Sequence, residues 1–427
     1  MHSVTVPTAH FTRAVTALGE KRPVVTRSAI FNVQGLKVID KGVAIDATLY
    51  DKLTRHQLRS PLEDSVDSQP AVSGPLLREA AQLMCREDRF AAAMLASLRQ
   101  PDALLEEVGQ VPLPRPIAFQ LTVLRETQPA LWQRSLRTMV TAAWLGALTG
   151  AARHGLRMLA AAGLLHDLGM LHLDPALLKP QLPLGREQRR HLYTHPLLSS
   201  MLLERHHEYP QEVVQAVLEH HEALDGSCYP RGLGSTVSPW CRLLGLGEQV
   251  SALLEAGGEA PALRLSVALR MNAPRFDPEA MRRVLNWLQP LRESLPGPPA
   301  GADPAEALRT IDRLMREWSG ALAAAPTAHP ARAEAVRGVA DLCEKVRQAL
   351  ARSGAAPEQL EMLGPDASSS EVAGELALIA RESTWQLRTT ARFARRRWRL
   401  GDNESFPPSL QAWFDEADAM CARALAT

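Results

Sequence analysis

The residues whose types best suit chemistry lie between His166 and Tyr229. They stand at three places along the chain: His166-Asp167, His195 and the run His220-His221-Glu222. Imidazole and carboxylate groups with no cysteine among them suit divalent metals such as Fe, Mn or Zn better than a thiolate centre does. The sequence therefore predicts a metal centre built from histidine and acid side chains.

Such a centre needs elements that bring distant residues to one point. The segments that carry the candidate ligands, among them LRMLAAAGLLHDLGML and QEVVQAVLEHHEAL, have the apolar spacing of helices. A helical scaffold can direct side chains from several helices at one interior position, so an all-helical domain is expected here. The one convincing β region runs from Pro23 to Gly42, where β-branched residues and glycines predict two or three short strands.

Composition and proline- and glycine-containing segments divide the chain into parts. A length of 427 residues with 46% hydrophobic content exceeds one ordinary core, and a formal net charge of +1 argues against a dedicated nucleic-acid binder. The predicted parts are a small strand-containing domain (1–63) with a loosely held lead-in (1–20), a helical connector (76–116), a helical domain with the candidate ligands (117–293) and a C-terminal helical bundle (305–427). The predicted fold class is mainly α.

The chain shows no sign of export or membrane insertion. Its five cysteines are scattered without CxxC pairs, the N-terminus lacks a signal-peptide pattern, and no apolar run reaches the roughly 18 residues that span a bilayer. We therefore expect a cytoplasmic protein without a transmembrane segment.

Five motifs in fixed order resemble one family. HDLG, LLKP, THP, HHEALDG with YPRGL, and GEQVSAL are similar to the HD-GYP domain, a branch of the HD metal-dependent phosphohydrolases, over about residues 125–290. The resemblance implies an all-helical HD-GYP-like domain with two or three metal ions, usually iron or manganese. It also implies hydrolysis of cyclic di-GMP to linear pGpG or GMP.

The resemblance also assigns roles to residues. It makes metal ligands of His166, Asp167, His195, His220 and His221, with Asp167 bridging and His166-Asp167 as the catalytic pair. Glu248 stands where the family has a late aspartate ligand. The loop that gives the family its name is matched by Asp225, Gly226, Tyr229 and Pro230, which we expect, with Arg231, at the rim of the substrate pocket.

Several positions depart from the family pattern. Arg134 stands where the family has an upstream ligand histidine, and arginine cannot deprotonate to become a ligand. Met170 replaces the lysine that closes HDxGK in the family. Cys228 replaces the first glycine of GYP, which would cost on the order of 1 kcal/mol if that position required positive φ. The resemblance is therefore to a partly degenerate site.

Two readings follow from these departures. In one, a reduced site holds one or two divalent ions, Fe or Mn, and remains a phosphodiesterase for cyclic di-GMP or a related phosphodiester. In the other, Arg134 supplies charge in place of a metal, because its guanidinium suits phosphate. The domain then binds nucleotide or a protein partner without catalysis, as a sensor or scaffold. A protein partner would use the C-terminal helical module, and no DNA partner is expected.

For the other polar residues near the candidate ligands, the sequence predicts structural or surface positions. The remaining histidines near the centre are expected on the surface: His172, His191, His206 and His207. Glu222 is expected either to orient a ligand histidine or to lie exposed on its helix.

Overall fold

The computed structural model describes residues 8–178, 184–291, 303–323, 330–363, 370–398 and 406–425, and within these the fold is mainly α. Up to residue 255 the helices are α1 (Ala9–Gly19), α2 (Tyr50–Arg55), α3 (Gly74–Glu87), α4 (Arg89–Ala96), α5 (Pro101–Gly109), α6 (Arg115–Thr127), α7 (Pro129–Leu148), α8 (Arg153–Leu165), α9 (Arg186–Leu192), α10 (His195–Leu203), α11 (Gln211–Glu219) and α12 (Pro239–Glu255). The later helices are α13 (Pro261–Met271), α14 (Pro278–Leu288), α15 (Pro304–Ala323), α16 (Pro330–Arg352), α17 (Pro357–Leu363), α18 (Ser370–Trp398) and α19 (Pro408–Leu425).

Four short strands form two antiparallel pairs near the N-terminus. β1 (Val25–Thr26) pairs with β4 (Val66–Asp67), and β2 (Ile30–Phe31) pairs with β3 (Lys37–Ile39). The strands expected between Pro23 and Gly42 are present. The fourth strand lies outside the region in which the sequence predicts strands.

The expectation of a loosely held lead-in over residues 1–20 is wrong for its described part. Helix α1 buries Phe11, Val15 and Leu18, each at most 1% exposed. Their spacing of three and four residues places them on one face of the helix, which is why the helix packs rather than detaches. Residues 1–7 lie outside the described residues.

Capping residues account for several helix boundaries. Asp46 accepts a hydrogen bond from the backbone N–H of Thr48 and opens the turn before α2. Asp303 accepts from the N–H of Glu306 at the start of α15. Asp88 divides what looks like one helix into α3 and α4, because its carboxylate accepts from the N–H groups of Phe90 and Ala91.

The chain forms two compact units. One comprises Met1–Glu255 and Pro274–Arg283, and the other comprises Ala256–Ala273 and Val284–Thr427. In the first unit, α7 packs on α8 and α12 around buried residues such as Trp144 and Met139. In the second unit, Trp318, Trp413 and Phe414 form the core between the long helices. The four-part division expected from the sequence stays a prediction, and most of its linker 294–304 lies outside the described residues.

None of the helices among the described residues combines the length and the apolar character that a bilayer span requires.

Candidate metal centre

His166 and Asp167 stand at the end of α8, where two glycines allow close packing. A Cβ at Gly163 would lie 2.6 Å from the carbonyl oxygen of Thr138 in α7, so only glycine lets these helices approach so closely. After Asp167 the chain forms a 3₁₀ turn, Leu168–His172. A Cβ at Gly169 in this turn would lie 2.6 Å from the carbonyl oxygen of His195. The close contact brings the turn against the start of α10.

Three other helices supply the remaining candidate ligands. His195 is the first residue of α10, His220 and His221 directly follow α11, and Glu248 lies within α12. Helix α11 packs on α8, α10 and α12, so the ends that carry these residues face the same region. The residues that the sequence analysis grouped are therefore brought together by tertiary packing.

Backbone carbonyls orient three of the imidazole rings. The Nδ1 atom lies 2.8 Å from the Gly163 oxygen in His166, 2.7 Å from the Leu192 oxygen in His195 and 2.7 Å from the Val217 oxygen in His220. A carbonyl oxygen only accepts, so each Nδ1 carries the proton and donates it. In the neutral ring, Nε2 then carries the free lone pair. Metal-ligating histidines use this arrangement.

These lone pairs converge on the Asp167 carboxylate. Nε2 of His195 lies 3.2 Å from Nε2 of His220 and 3.2 Å from Oδ1 of Asp167. Nε2 of His166 lies 3.3 Å from Oδ2 of Asp167, and Nε2 of His221 lies 3.1 Å from Nε2 of His195. Both oxygens of Asp167 and Nε2 of His166 are buried without a hydrogen-bond partner. Acceptors this close repel one another unless a cation or a proton lies among them.

Burial closes most of the cluster off from water. His166, Asp167, His195 and His220 are each at most 2% exposed. The side chains of His221 and Glu248 are 23% and 19% exposed and lie 3.5 Å apart, Nδ1 to Oε2. Among the described residues, the centre is therefore exposed on the side of His221 and Glu248.

The pKa values follow from burial and from this crowding. Burial lowers the pKa values of His195 and His220 and lowers that of His221 to about 4, so these rings are neutral at pH 7. Burial alone would lower the pKa of His166, but the Asp167 carboxylate raises it to about 9. Burial also raises the pKa of Glu248 to about 7. The protein thus favours a positive charge beside Asp167, which a bound cation would also provide.

The donor set fits a divalent metal. Two overlapping triads have all their ligand atoms within 4.8 Å of one another, one of His195, His220 and His221 and the other of His166, His220 and Glu248. His220 belongs to both triads. Nitrogen and carboxylate donors without thiolate suit Fe, Mn or Zn. Every ligand residue expected from the sequence therefore lies in one cluster, while their role as ligands stays a prediction.

Two residues that depart from the family pattern have distinct positions. Arg134 is exposed on α7, and its positive charge adds to the lowering of the pKa of His221 by burial and opposes the rise that burial causes in the pKa of Glu248. It therefore lies near the open side of the cluster. Met170 lies in the 3₁₀ turn and is 6% exposed, so its side chain packs in the interior. It occupies core space where a lysine would have to reach substrate.

The loop from Asp225 to Gly234 is held by two glutamates that flank the histidine pair. Glu222 accepts hydrogen bonds from the N–H groups of Arg231 and Leu233 at 2.6 and 2.9 Å. Glu219 accepts from Nη2 of Arg231 at 2.6 Å. Glu222 therefore anchors the loop. From the sequence, it was expected either to orient a ligand histidine or to lie exposed. Arg231 is engaged in the same anchor, and its expected contact with substrate stays a prediction.

The backbone dihedral angles of this loop show whether Cys228 occupies a position that requires positive φ. Positive φ occurs at Gly226 (70°), Gly232 (69°) and Gly234 (61°), and Ala260 is the one non-glycine residue with positive φ in the described chain. Cys228 has no such strain. Asp225 accepts from the N–H and hydroxyl of Ser227, which forms a local turn.

Tyr229 and Pro230 complete the loop next to the centre. The Tyr229 ring lies 4.7 Å from the ring of His221 and stacks on Tyr193 at 4.0 Å. The loop thus lines the open side of the cluster, where the sequence predicts the substrate rim.

A pocket of about 190 Å³ adjoins the same side. Its walls include His221, Glu248, Tyr229, Cys228 and Arg275. Arg275 lies at the end of the 3₁₀ turn Ala273–Arg275, and the sequence analysis missed it because no motif marks it. Its position 54 residues after His221 gives no local signal of proximity.

The expectation for the other histidines holds in part. His207 and His191 are exposed, and His206 is partly buried. His172 is 2% exposed, so its expected surface position is wrong. Its ring stacks on Phe11 at 4.9 Å, and only the packing of α1 creates that contact.

Comparisons with known proteins bear on the part of the chain that contains the candidate ligands. The family model "HD domain" matches residues 119–279. The cyclic di-GMP phosphodiesterase response regulator RpfG of Xanthomonas campestris pv. campestris (strain 8004) is 31% identical over 143 residues, which is 32% of this chain and 38% of the relative. The chain thus matches well under half of that protein's length.

A solved structure is also similar. Bd1817, a HDG"Y"P protein from Bdellovibrio bacteriovorus, is 14% identical with a TM-score of 0.35, over 63% of this chain and 94% of that one. The family model identifies residues 119–279 as an HD domain, and the ordered HD, HHE and YP motifs within it resemble those of the HD-GYP branch.

Proposed function

We propose that this HD domain is a metal-dependent phosphodiesterase that hydrolyses cyclic di-GMP to pGpG or GMP in bacterial second-messenger signalling. The observation that carries the proposal is the convergence of buried lone pairs on Asp167. Backbone carbonyls hold Nδ1 of three histidines as the donor, so Nε2 is the acceptor in each neutral ring, and both Asp167 oxygens lack a hydrogen-bond partner. The similarity to a cyclic di-GMP phosphodiesterase supports the choice of substrate.

The residues divide into those that hold metal and those that meet substrate. We infer that His166, Asp167, His195, His220, His221 and Glu248 hold one or two ions, with Fe or Mn as the proposed metals. A bound metal would stabilise charge on the phosphate and activate water. Asp167 would be the central carboxylate of this ligand set, since its two oxygens lie near different histidines. Arg134 and the loop around Tyr229 would contact the nucleotide.

The experiment measures bound metal and turnover on the same preparation. We expect purified protein to contain Fe or Mn by plasma mass spectrometry and to convert cyclic di-GMP to pGpG or GMP by chromatography. Asp167→Asn should lower turnover by at least about 100-fold, because it removes the central charge. The surface variant His207→Ala should match the wild type. Metal-loaded protein that leaves cyclic di-GMP intact would contradict the proposal.

One observation favours a second function. Arg134 is exposed, has no carboxylate ion pair in the described part of the chain, and lies close enough for its charge to act on His221 and Glu248. A guanidinium in that place suits a phosphate group. The alternative is a degenerate domain that binds nucleotide or a protein partner without catalysis.

The variant Arg134→His separates the two functions. If the wild type binds cyclic di-GMP without turnover and Arg134→His gains metal or activity, the domain is a sensor whose arginine has replaced a ligand. If the wild type is active and Arg134→His only weakens nucleotide binding, the first function holds.

A further inference from the structure

Arg275 is a cation beside the open side of the candidate centre that has no anionic partner of its own. Its Nη2 donates to Sγ of Cys228 at 3.0 Å, and its Nε is buried without a hydrogen-bond partner. Within the described residues no carboxylate forms an ion pair with it. Several arginines of this unit differ: Arg231, Arg205 and Arg153, for example, each pair with a glutamate.

The pocket around Arg275 is continuous with the candidate ligands. The same cavity is lined by His221 and Glu248, the two ligand residues that solvent reaches. A substrate cleaved at the centre must enter on this side, because the other candidate ligands are at most 2% exposed. Any group attached next to the cleaved bond would extend into the pocket.

The other charged groups of the pocket are already engaged. Glu222 accepts the two loop N–H groups, and Arg242 donates to the carbonyl oxygens of Val237 and Ser235 at 3.0 and 3.1 Å. Within the described pocket wall, Arg275 is therefore the arginine whose side chain no carboxylate or carbonyl oxygen engages. Its charge also acts on His221, in the direction that lowers the pKa of that ring, which burial already lowers.

The size of the pocket limits what it can hold. Its volume is about 190 Å³. Pockets for whole drug-sized ligands are larger, about 300–1,000 Å³. The space suits a phosphate group with part of its sugar.

We propose that Arg275 binds a second phosphate of the substrate, so that the site selects diesters that carry another phosphate group beside the one cleaved. The inference rests on the proposed phosphodiesterase function and names the residue that gives it this specificity. A guanidinium can bind phosphate oxygens with two parallel hydrogen bonds. Arg275 would thus recognise one phosphodiester of a cyclic dinucleotide while the other lies at the metal centre.

The test compares a substrate with two phosphates and one with a single phosphate. Arg275→Gln should raise the KM for cyclic di-GMP roughly 10- to 100-fold, because a charge-assisted contact is lost. Hydrolysis of bis(p-nitrophenyl) phosphate should stay within about twofold in kcat/KM, since it lacks the second phosphate. Bound metal should not change. Arg275→Lys keeps the charge and should recover part of the loss.

Arg282→Gln is the matched control. Arg282 lies on the following helix, is exposed and pairs with Glu279, so its loss should affect neither substrate. An unchanged KM for cyclic di-GMP in Arg275→Gln would overturn the proposal. An equal loss on both substrates would do the same, because Arg275 would then act through the loop or the centre.

Binding separates this inference from the proposed function. If the wild type hydrolyses neither substrate but binds cyclic di-GMP by calorimetry, weaker binding by Arg275→Gln supports the Arg275 site while hydrolysis fails. Unchanged binding in that variant overturns the site. A wild type that neither binds nor cleaves cyclic di-GMP overturns both.

Discussion

Three carbonyl oxygens decide which nitrogen of each buried histidine is available. Gly163, Leu192 and Val217 each lie three residues before a histidine and accept its Nδ1 proton. The i−3 spacing arises because each histidine sits at a helix end, where carbonyl groups lack their usual backbone partners. The unpaired end groups of the helices thus fix the tautomer of the candidate ligands.

The shared position of His220 gives a prediction about metal content. His220 belongs to both triads and is buried, whereas His221 belongs to one and is partly exposed. We expect His220→Ala to retain less than about a tenth of the wild-type metal and His221→Ala to retain more than that. Plasma mass spectrometry of the purified variants measures this. Equal metal in the two variants would contradict the shared role.

Asp88 gives a prediction about pH. Burial alone would raise its pKa, but hydrogen bonds from Arg137 and from the N–H groups of Ala91 and Phe90 outweigh burial and lower it. A folded-state pKa below the unfolded value of about 3.9 stabilises the fold above that pH and loses the effect as pH falls further.

Asp88→Asn keeps the cap but removes the charge, so we expect it to lower the free energy of unfolding by about 1 kcal/mol at pH 7. Urea titrations at pH 7 and at about pH 3 should show the difference shrinking at the lower pH. A difference that grows on acidification would refute the assigned cause.

At the scale of elements, the turn after Asp167 and the start of α10 depend on one contact. Gly169 donates its N–H to Oγ of Ser199 at 2.8 Å, and an added Cβ would meet backbone atoms of His195 and Ser199 at 2.6 and 2.7 Å. Because backbone cannot rotate away as a side chain can, the turn and α10 must separate if a Cβ is present.

We therefore expect Gly169→Ala to lower the free energy of unfolding by about 1–3 kcal/mol and to reduce bound metal. Gly155→Ala is the control within α8, because its Cβ would meet only an ordinary contact at 3.4 Å. It should be neutral or stabilising by up to about 1 kcal/mol. Thermal unfolding and metal analysis measure both variants, and normal metal in Gly169→Ala would argue against the contact as a positioning device.

At the scale of the whole molecule, all candidate ligands lie in the unit that contains Met1–Glu255. The second unit has its own core around Trp318, Trp413 and Phe414. Metal binding should therefore stabilise one unit and not the other, since only a native state that binds the ion gains its free energy.

Calorimetry with and without a chelator tests this division. Metal at 100 times its Kd contributes about 2.7 kcal/mol, so chelation should lower the Tm of one transition by about 5–10 °C. Leu410→Ala, at a fully buried site of the second unit, should lower the other transition. Removal of metal that shifts both transitions equally would show that the units do not unfold separately.

The sequence by itself determined those features that depend on residue type and on the local spacing of apolar residues. The helical spacing predicted the mainly α fold, and the ordered histidine and acid motifs implied the candidate ligand set through their resemblance to the HD-GYP pattern. These signals are local because a cap, a helical face or a motif is complete within a few residues of chain.

Only the tertiary structure decided the rest. It buried His172 against Phe11, engaged Glu222 with the loop, and brought Arg275 to the pocket beside His221. Each of these facts depends on which helices pack together and at what distance. The apolar period of one helix fixes the face that is buried but not the neighbour that covers it, so contacts between residues far apart in the chain appear only once the helices have assembled.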